Sequence, residues 1–577
     1  MNPLLQTDSY KLTHPDQYPK NTQIVYSNIT ARKSRDPSIN EVVVFGLQYF
    51  LKEYLIKDFN DNFFNRDKEE VVGELERFLT RYLGEGVTDI QKYRDLHDLG
   101  YLPLKIKALP EGTKCPVGVP YCTIVNTDKR FYWLTNFIET LMQNTLWNPL
   151  TAATVANKCK GLLNDWANKT CDNNDHVKFQ AHNFSMRGMS SLESALTTDA
   201  GHLLSFVGSD TVPGIGFLEK YYNVNMFEEL ISCSVPASEH SVVCVGQKQD
   251  ERETFRRLIQ DVYPSGIVSL VADTWNLWDV LTKIAPSLKK EIEARDGKVV
   301  FRPDSGDPIK IVCGYITTKS NYTFEEIQKF IKNPTNESSD CTWKKEIEII
   351  HTKDNRYIKT INGVEISEYE AKGCIQLLDE QFGSTLNNKG YKVLNPKVGL
   401  IYGDSINFEK AFEICKQLAD KGYASSNITY GIGSFFYQYR TRDTFSIACK
   451  ATYVEVDGKP YNIFKDPITD NGTKKSACGL LKVERFEGSH GSVLVLRDQV
   501  SKEEEAQGLL ARGEIKGYMV EEIPLSLHVK DSGLSQNIMR LLIRFREDPF
   551  GFLTNILNNW CISGEVRSML FWWELIR

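Results

Sequence analysis

The chain has 577 residues, 41% of them hydrophobic and 25% charged, with a net charge of -6 at neutral pH. That is the make-up of a globular protein with room for two or three domains, and it offers no overall positive field for nucleic acid, so an anionic ligand must be held by a local cluster of Lys and Arg. The 13 cysteines are odd in number, scattered and free of Cys-x-x-Cys spacing, which argues against a disulfide framework and a zinc site and fits reduced thiols.

Met1 to Asp8 shows no basic start leading into an apolar stretch, and no run of about 18 apolar residues occurs. Secretion and membrane spanning are not expected, and a cytoplasmic location is. Residues 1–150 mix strand-like pieces (23–27 and 41–45) with a helical stretch at 69–83 and an alternating strand from Leu104 closed by Pro110-Glu111-Gly112. They are expected to form an α+β lobe, completed by strands from 451–530 such as 452–456 and 492–496. Helical spacing from Tyr132 to Leu141 leads into the next domain.

Within 151–450 one design recurs: an apolar, strand-like run that stops in a polar tip. The runs 177–184, 203–207, 267–272, 299–301, 398–402 and 428–430 end at Arg187, Asp210, Asp273, Arg302 with Asp304, Gly403 with Asp404, and Gly433 with Ser434. Helical patterns lie between several of them, such as 407–415, so the strands should be parallel and joined by crossovers. The expectation is an α/β barrel with its site on one rim. Residues 309–397 read as a polar insertion beside the site, with a helix at 322–331 capped by Thr323. From 531 onward the character changes; Ile538, Leu541, Leu542 and Phe545 could line a terminal helix, and Phe571-Trp572-Trp573 is apolar.

Three segments carry chemistry. Phe301-Arg302-Pro303-Asp304-Ser305-Gly306 ends a strand in a charged turn that cannot continue as sheet. Gly431-Ile432-Gly433-Ser434 follows a strand, where glycines let backbone N–H groups approach an anion, although a tight structural turn uses the same residues. Arg442, Lys450, Lys465 and Lys474 come soon after, a dense cationic set in an acidic chain. His240, in Ser234-Val235-Pro236-Ala237-Ser238-Glu239-His240-Ser241, is the histidine set beside an acid in a proline-containing turn; it reads as a proton shuttle, a nucleophile or a hydrogen-bonded structural residue. No P-loop, Gly-x-Gly-x-x-Gly or Ser-His-Asp order accompanies these segments.

Taken together with Thr7-Asp8-Ser9-Tyr10-Lys11, Tyr132-Trp133-Leu134-Thr135-Asn136, Gly208-Ser209-Asp210-Thr211-Val212, Ser234-Val235-Pro236 and Phe464-Lys465-Asp466-Pro467, the chain resembles the nicotinamide phosphoribosyltransferases, within the type II phosphoribosyltransferase family. The resemblance implies an irregular α/β barrel with an additional α+β lobe, and a homodimer with shared active sites. It also implies the substrates nicotinamide and phosphoribosyl pyrophosphate, Mg²⁺ held through pyrophosphate and water, and ATP as an activating co-substrate that phosphorylates His240. On the matching residues, Phe184 and Tyr10 of the partner subunit sandwich the ring, while Asp210 and Ser269 meet the carboxamide. Arg187, His240 and Arg302, with Arg32, Lys465 and Lys474 from the other chain, face the diphosphate. Asp273 and Asp304 lie near the anomeric carbon; Gly403, Asp404, Gly433 and Ser434, with Arg442 and Lys450, hold ribose and 5′-phosphate. Gly399 and Ala448 stand where vertebrate members have Arg and Ser. Nicotinate phosphoribosyltransferase activity, or an inactive relative serving as a binding protein, are the alternatives.

Overall fold

Six short parallel strands stand in a ring in the computed structural model, which describes residues 1–514 except 333–347, 361, 470–475 and 489–490. They are Ala181–Asn183, Gly208–Ser209, Ser265–Val271, Asp296–Arg302, Val398–Tyr402 and Ile428–Ile432. Each pairs in parallel with its neighbour in chain order, except the second with the third, and the last returns to the first, Tyr430 opposite Ala181. The remaining gap, between Ser209 and Ser265, is spanned by residues 233–237: Cys233 bridges Gly208 and Ala237 bridges Ser269. Cys233 N–H donates to the Val207 carbonyl at 2.7 Å and Ser269 N–H to the Pro236 carbonyl at 2.8 Å. Pro236 has no N–H to give, so this seventh segment closes the barrel without becoming a regular strand.

Alternation along the strands sets the layers. Val299, Phe301, Leu400, Tyr402, Ile428 and Tyr430 are buried with Ala411, Ile414, Cys415 and Leu418 of the helix Phe408–Asp420, which Asn407 caps through a bond from Lys410 N–H. The intervening residues, Arg302 and Gly431 among them, face the ring interior, as the period of two requires.

The lobe is a six-stranded antiparallel sheet whose spatial order draws on both parts of the chain: Lys459–Asn462, Ile447–Val456, Thr22–Ala31, Pro120–Asn126, Leu104–Ala108 and Ala511–Glu514. The 32-residue helix Glu139–Thr170 serves both layers. Its Met142, Leu146 and Leu150 pack into the lobe core, and its Ala152, Val155, Cys159 and Leu163 into the barrel core.

Several segments depart from the sequence expectation. Residues 177–180 form a helical turn, leaving only Ala181–Asn183 as strand. Leu203 ends the helix Leu192–Leu203, and the second barrel strand is just Gly208–Ser209; a short apolar run fits a buried helix end as well as a strand. Within 309–397, the small sheet of Thr317–Lys319, Ile349–His351, Tyr357–Lys359 and Val364–Ile366 with the helix Phe324–Lys332 has its own core of Ile327, Ile350 and Ile358. The helix Cys374–Phe382, by contrast, packs Cys374, Ile375, Leu377 and Leu378 into the barrel core, so this part is crossover rather than decoration. The described cysteines are free thiols. No helix among the described residues is long and apolar enough to cross a membrane. The segment after 531 lies outside the described residues.

Candidate active site at the barrel rim

The first two strand tips make one half of the site. Phe184 is tied to the last strand by its N–H, which donates to the Ile432 carbonyl at 2.8 Å. Its ring leans on His182, centroids 4.8 Å apart. His182 has room because residue 208 is glycine: a Cβ there would come within 2.8 Å of the imidazole Nδ1. Asp210 N–H donates to the Asn183 carbonyl at 3.0 Å. Asp210 Oδ1 accepts from His182 Nε2 at 2.8 Å and from Ser234 Oγ at 2.5 Å. Burial works against its charge, but these two bonds and the nearby Arg302 outweigh it and hold the carboxyl below the usual carboxylate range. The result is a fixed anionic acceptor beside an aromatic face.

The other half is built on Asp273. Its Oδ2 accepts from the N–H of Asp304 (3.0 Å), the N–H of Ser305 (2.9 Å) and Ser305 Oγ (2.5 Å), which shapes the charged turn after Arg302. Its Oδ1 is buried without a partner and lies 3.9 Å from His240 Nε2. The His240 ring stands between Thr274 Oγ1 (3.1 Å from Nδ1) and Asp304 Oδ1 (3.3 Å from Nε2). A carboxylate only accepts, so Nε2 carries the proton and Nδ1 receives the Thr274 hydroxyl. Arg302 donates from Nη2 to the Ser238 carbonyl at 2.8 Å and keeps a buried Nε without a partner.

Glycines bring the remaining tips together. A Cβ at Gly431 would meet Gly403 Cα at 2.8 Å, the Tyr402 carbonyl at 2.9 Å and the Phe184 ring at 3.0 Å; one at Gly403 would meet Asp304 Cβ at 3.3 Å. A Cβ at Gly188 would fall 2.1 Å from Ser434 Oγ, so the turn Met186–Gly188 that carries Arg187 sits directly on the Gly433-Ser434 loop.

A second cationic cluster lies in the lobe. Arg32, Arg442 and Lys450 line a pocket with Arg35 and Ala448. Arg32 Nε donates to the Ser446 carbonyl at 3.2 Å, and Arg442 Nη1 to Gln143 Oε1 at 3.2 Å. An adjoining pocket holds Asp8 and Tyr10 and shares Glu139, Gln143 and Arg442 with the first. Neither pocket is lined by a residue of the barrel rim. An aromatic face with a fixed anionic acceptor, two acids beside a histidine, and cations in two clusters suit a small polar aromatic base and a phosphorylated sugar.

Residues 179–499 match the model of the nicotinate phosphoribosyltransferase family, and residues 2–106 match the nicotinamide phosphoribosyltransferase N-terminal domain. The chain belongs to the nicotinate phosphoribosyltransferase family. It is therefore a pentosyltransferase. Among its relatives, a protein of Acinetobacter baylyi named nicotinamide phosphoribosyltransferase is 44% identical over 521 residues, which cover 88% of this chain and 93% of the relative. Proteins of the same name from Mycoplasma pneumoniae and Xanthomonas campestris are 34% and 31% identical, over 82% and 86% of this chain and 94% and 90% of their own lengths.

Within this family frame, the structure gathers Phe184, Arg187, Asp210, His240, Ser269, Asp273, Arg302, Asp304, Gly403, Asp404, Gly433 and Ser434 on the barrel strands or the segments that follow them, Ser269 being a buried strand residue and His240 and Ser434 opening the helices His240–Val245 and Ser434–Gln438. It places Tyr10, Arg32, Arg442 and Lys450 in the lobe cluster instead. Lys465 is an exposed loop residue whose backbone pairs with Ser476, and Lys474 lies outside the described residues. Gly399 sits three residues before its strand tip, where a Cβ would touch Lys298 and Val300, while Ala448 lines the lobe pocket. Sequence reasoning passed over His182, Ser234 and Thr274 as partners. Alternation alone places His182 on the same inward set as the rim residues, and that was the available signal.

Proposed function

We propose that this chain transfers the phosphoribosyl group of phosphoribosyl pyrophosphate to the ring nitrogen of nicotinamide, giving nicotinamide mononucleotide and pyrophosphate in NAD salvage. The observation that carries the choice of base is Asp210. A carboxylate held ionised by His182 and Ser234 accepts from a carboxamide NH₂ and repels the carboxylate of nicotinic acid. Phe184 supplies the stacking face.

The pyridine nitrogen has its own lone pair, so no general base is needed. As the bond to pyrophosphate breaks, positive charge builds on the anomeric carbon, the problem that glycosidases meet with carboxylates; Asp273 and Asp304 supply that negative charge here. Arg187 and Arg302 face the departing pyrophosphate, with Arg32 and Lys465 of the partner subunit. Carboxylate oxygens suit a hard cation, and the unpartnered Asp273 Oδ1 within the His240, Asp273 and Asp304 group fits Mg²⁺. Asp273 and Asp304 would hold it through water, and bound Mg²⁺ supplies charge neutralisation on the pyrophosphate. The half-exposed His240, oriented by Asp304 and Thr274, is suited to take the γ-phosphoryl group of ATP on its unprotonated Nδ1, in place of the Thr274 hydrogen bond and with ADP leaving, which would couple ATP to synthesis. The lobe cluster lines pockets with no rim residue, which favours a homodimer in which Tyr10, Arg442 and Lys450 complete the site of the other chain, in the cytoplasm.

Steady-state assays with nicotinamide and with nicotinic acid test this reading. A higher kcat/KM for nicotinamide supports it; a preference for nicotinic acid selects nicotinate phosphoribosyltransferase, and no turnover of either selects an inactive binding protein.

A further inference from the structure

Behind the two strand tips that hold the base lies a carboxyl group for which the reaction has no use. Asp199, on the helix Leu192–Leu203, has 0% of its surface exposed. Its Oδ1 accepts from Asn183 Nδ2 at 2.7 Å and from Ser209 Oγ at 2.5 Å, while its Oδ2 has no partner and lies where a Cβ on residue 214 would come within 1.9 Å. Burial pushes its pKa up to about 7, against the two hydrogen bonds. A purely structural role is a poor account of it, because an apolar side chain would fill the same space without the desolvation cost.

What Asp199 does hold is specific. Asn183 is the residue before Phe184, and Ser209 the residue before Asp210. The two are opposite each other in the ladder, and both are bonded to the same oxygen of Asp199. Each is also bonded onward: the Asn183 carbonyl receives Asp210 N–H and Ser209 Oγ receives Thr211 N–H, both at 3.0 Å. A two-residue strand has too few ladder bonds to fix its own tip. We propose that Asp199 is a positioning residue for base selection: it pins both strand tips to one point, and so sets Asp210 against Phe184 at the spacing a carboxamide needs. This rests on the reading of Asp210 as the acceptor for the amide.

The test is the ratio of kcat/KM for nicotinamide to that for nicotinic acid. Damage to folding or to sugar-phosphate binding enters both terms and cancels in the ratio. We expect Asp199→Ala to lower it about tenfold and Asp199→Asn, which keeps an acceptor oxygen, to stay within about threefold of wild type. In an Asp210→Asn background, Asp199→Ala should change the ratio by less than about twofold, since positioning has nothing left to act on. Should Asp199→Ala fail to fold, Ser209→Ala removes the Asp199 bond on the Asp210 side, together with the acceptor for Thr211 N–H, and should lower the ratio about threefold or more. An unchanged ratio in a folded Asp199→Ala or Ser209→Ala protein, or an equal loss with and without Asp210, overturns the proposal. If Asp210→Asn by itself leaves the ratio unmoved, the acceptor role fails, and the positioning role fails with it.

Discussion

His182 Nε2 donates to Asp210 Oδ1 at 2.8 Å across 28 residues of sequence, and Ser234 Oγ reaches the same oxygen from the segment that closes the barrel. Two strand tips and the closing segment therefore meet on one carboxylate. Both bonds fall on Oδ1, and the acceptor keeps its charge where an isolated carboxyl would be losing it.

Asp210→Asn should leave the fold intact and narrow the nicotinamide-over-nicotinic-acid ratio in kcat/KM, as the repelling charge is lost and an NH₂ faces the base. The same residue makes a pH prediction. Its folded pKa lies below the unfolded one, so its pairing stabilises the protein above the ordinary carboxylate pKa and loses that contribution as pH falls through the lower folded value. Urea denaturation across the acid range should show this fall for wild type and a flatter course for Asp210→Asn.

Gly431→Ala tests how tightly the tips are packed. The added methyl meets backbone atoms of Tyr402 and Gly403 and the Phe184 ring, all within 3.0 Å, and overpacking of this kind costs roughly 1–3 kcal/mol. Thermal melts should show the loss of stability. KM for nicotinamide should rise as Phe184 is displaced; a variant with wild-type Tm and KM would mean that the rim is looser than these contacts indicate.

His240→Ala should abolish ATP hydrolysis, and with it the stimulation of synthesis by ATP. With His240 placed against the diphosphate, as proposed, basal turnover should fall as well. The decisive measurement is on wild type: incubation with labelled ATP should leave acid-labile phosphate on the protein. Absence of both the label and ATP hydrolysis would remove the coupling role.

Shared sites predict complementation. Tyr10 is 54% exposed in a pocket that no rim residue lines. Tyr10→Ala should weaken nicotinamide binding by about 1 kcal/mol or somewhat more, one stacking contact, and Asp304→Ala should remove most turnover. In a mixed dimer one site is wholly wild type and the other carries both defects, as two-fold pairing requires. Titrating one mutant with the other should restore a component with wild-type KM at about half the sites. If mass spectrometry finds mixed dimers and no such component appears, Tyr10 serves its own chain.

The barrel and most of its tips were legible in the sequence because they are local. A run such as Val299-Val300-Phe301 buries itself, Arg302 and Asp304 must then end it in solvent, and Asn407 starts the helix Phe408–Asp420 by a bond across three residues. Such signals need only neighbours in the chain. They failed at 177–180, a helical turn on which Lys178 and Phe179 are exposed and which is too short to show a period, and at 203–207, the end of a buried helix with the turn after it, where burial on all sides erases periodicity. Tertiary structure alone decided the rest. That Pro236 closes the ring, that His182 and Ser234 share Asp210, that Asp199 lies behind Asn183 and Ser209, and that Tyr10 and Arg442 stand apart from the rim all depend on which distant segments share a register. Hydrogen bonds between side chains form wherever packing brings donor and acceptor to within about 3 Å, and no spacing along the chain encodes that meeting.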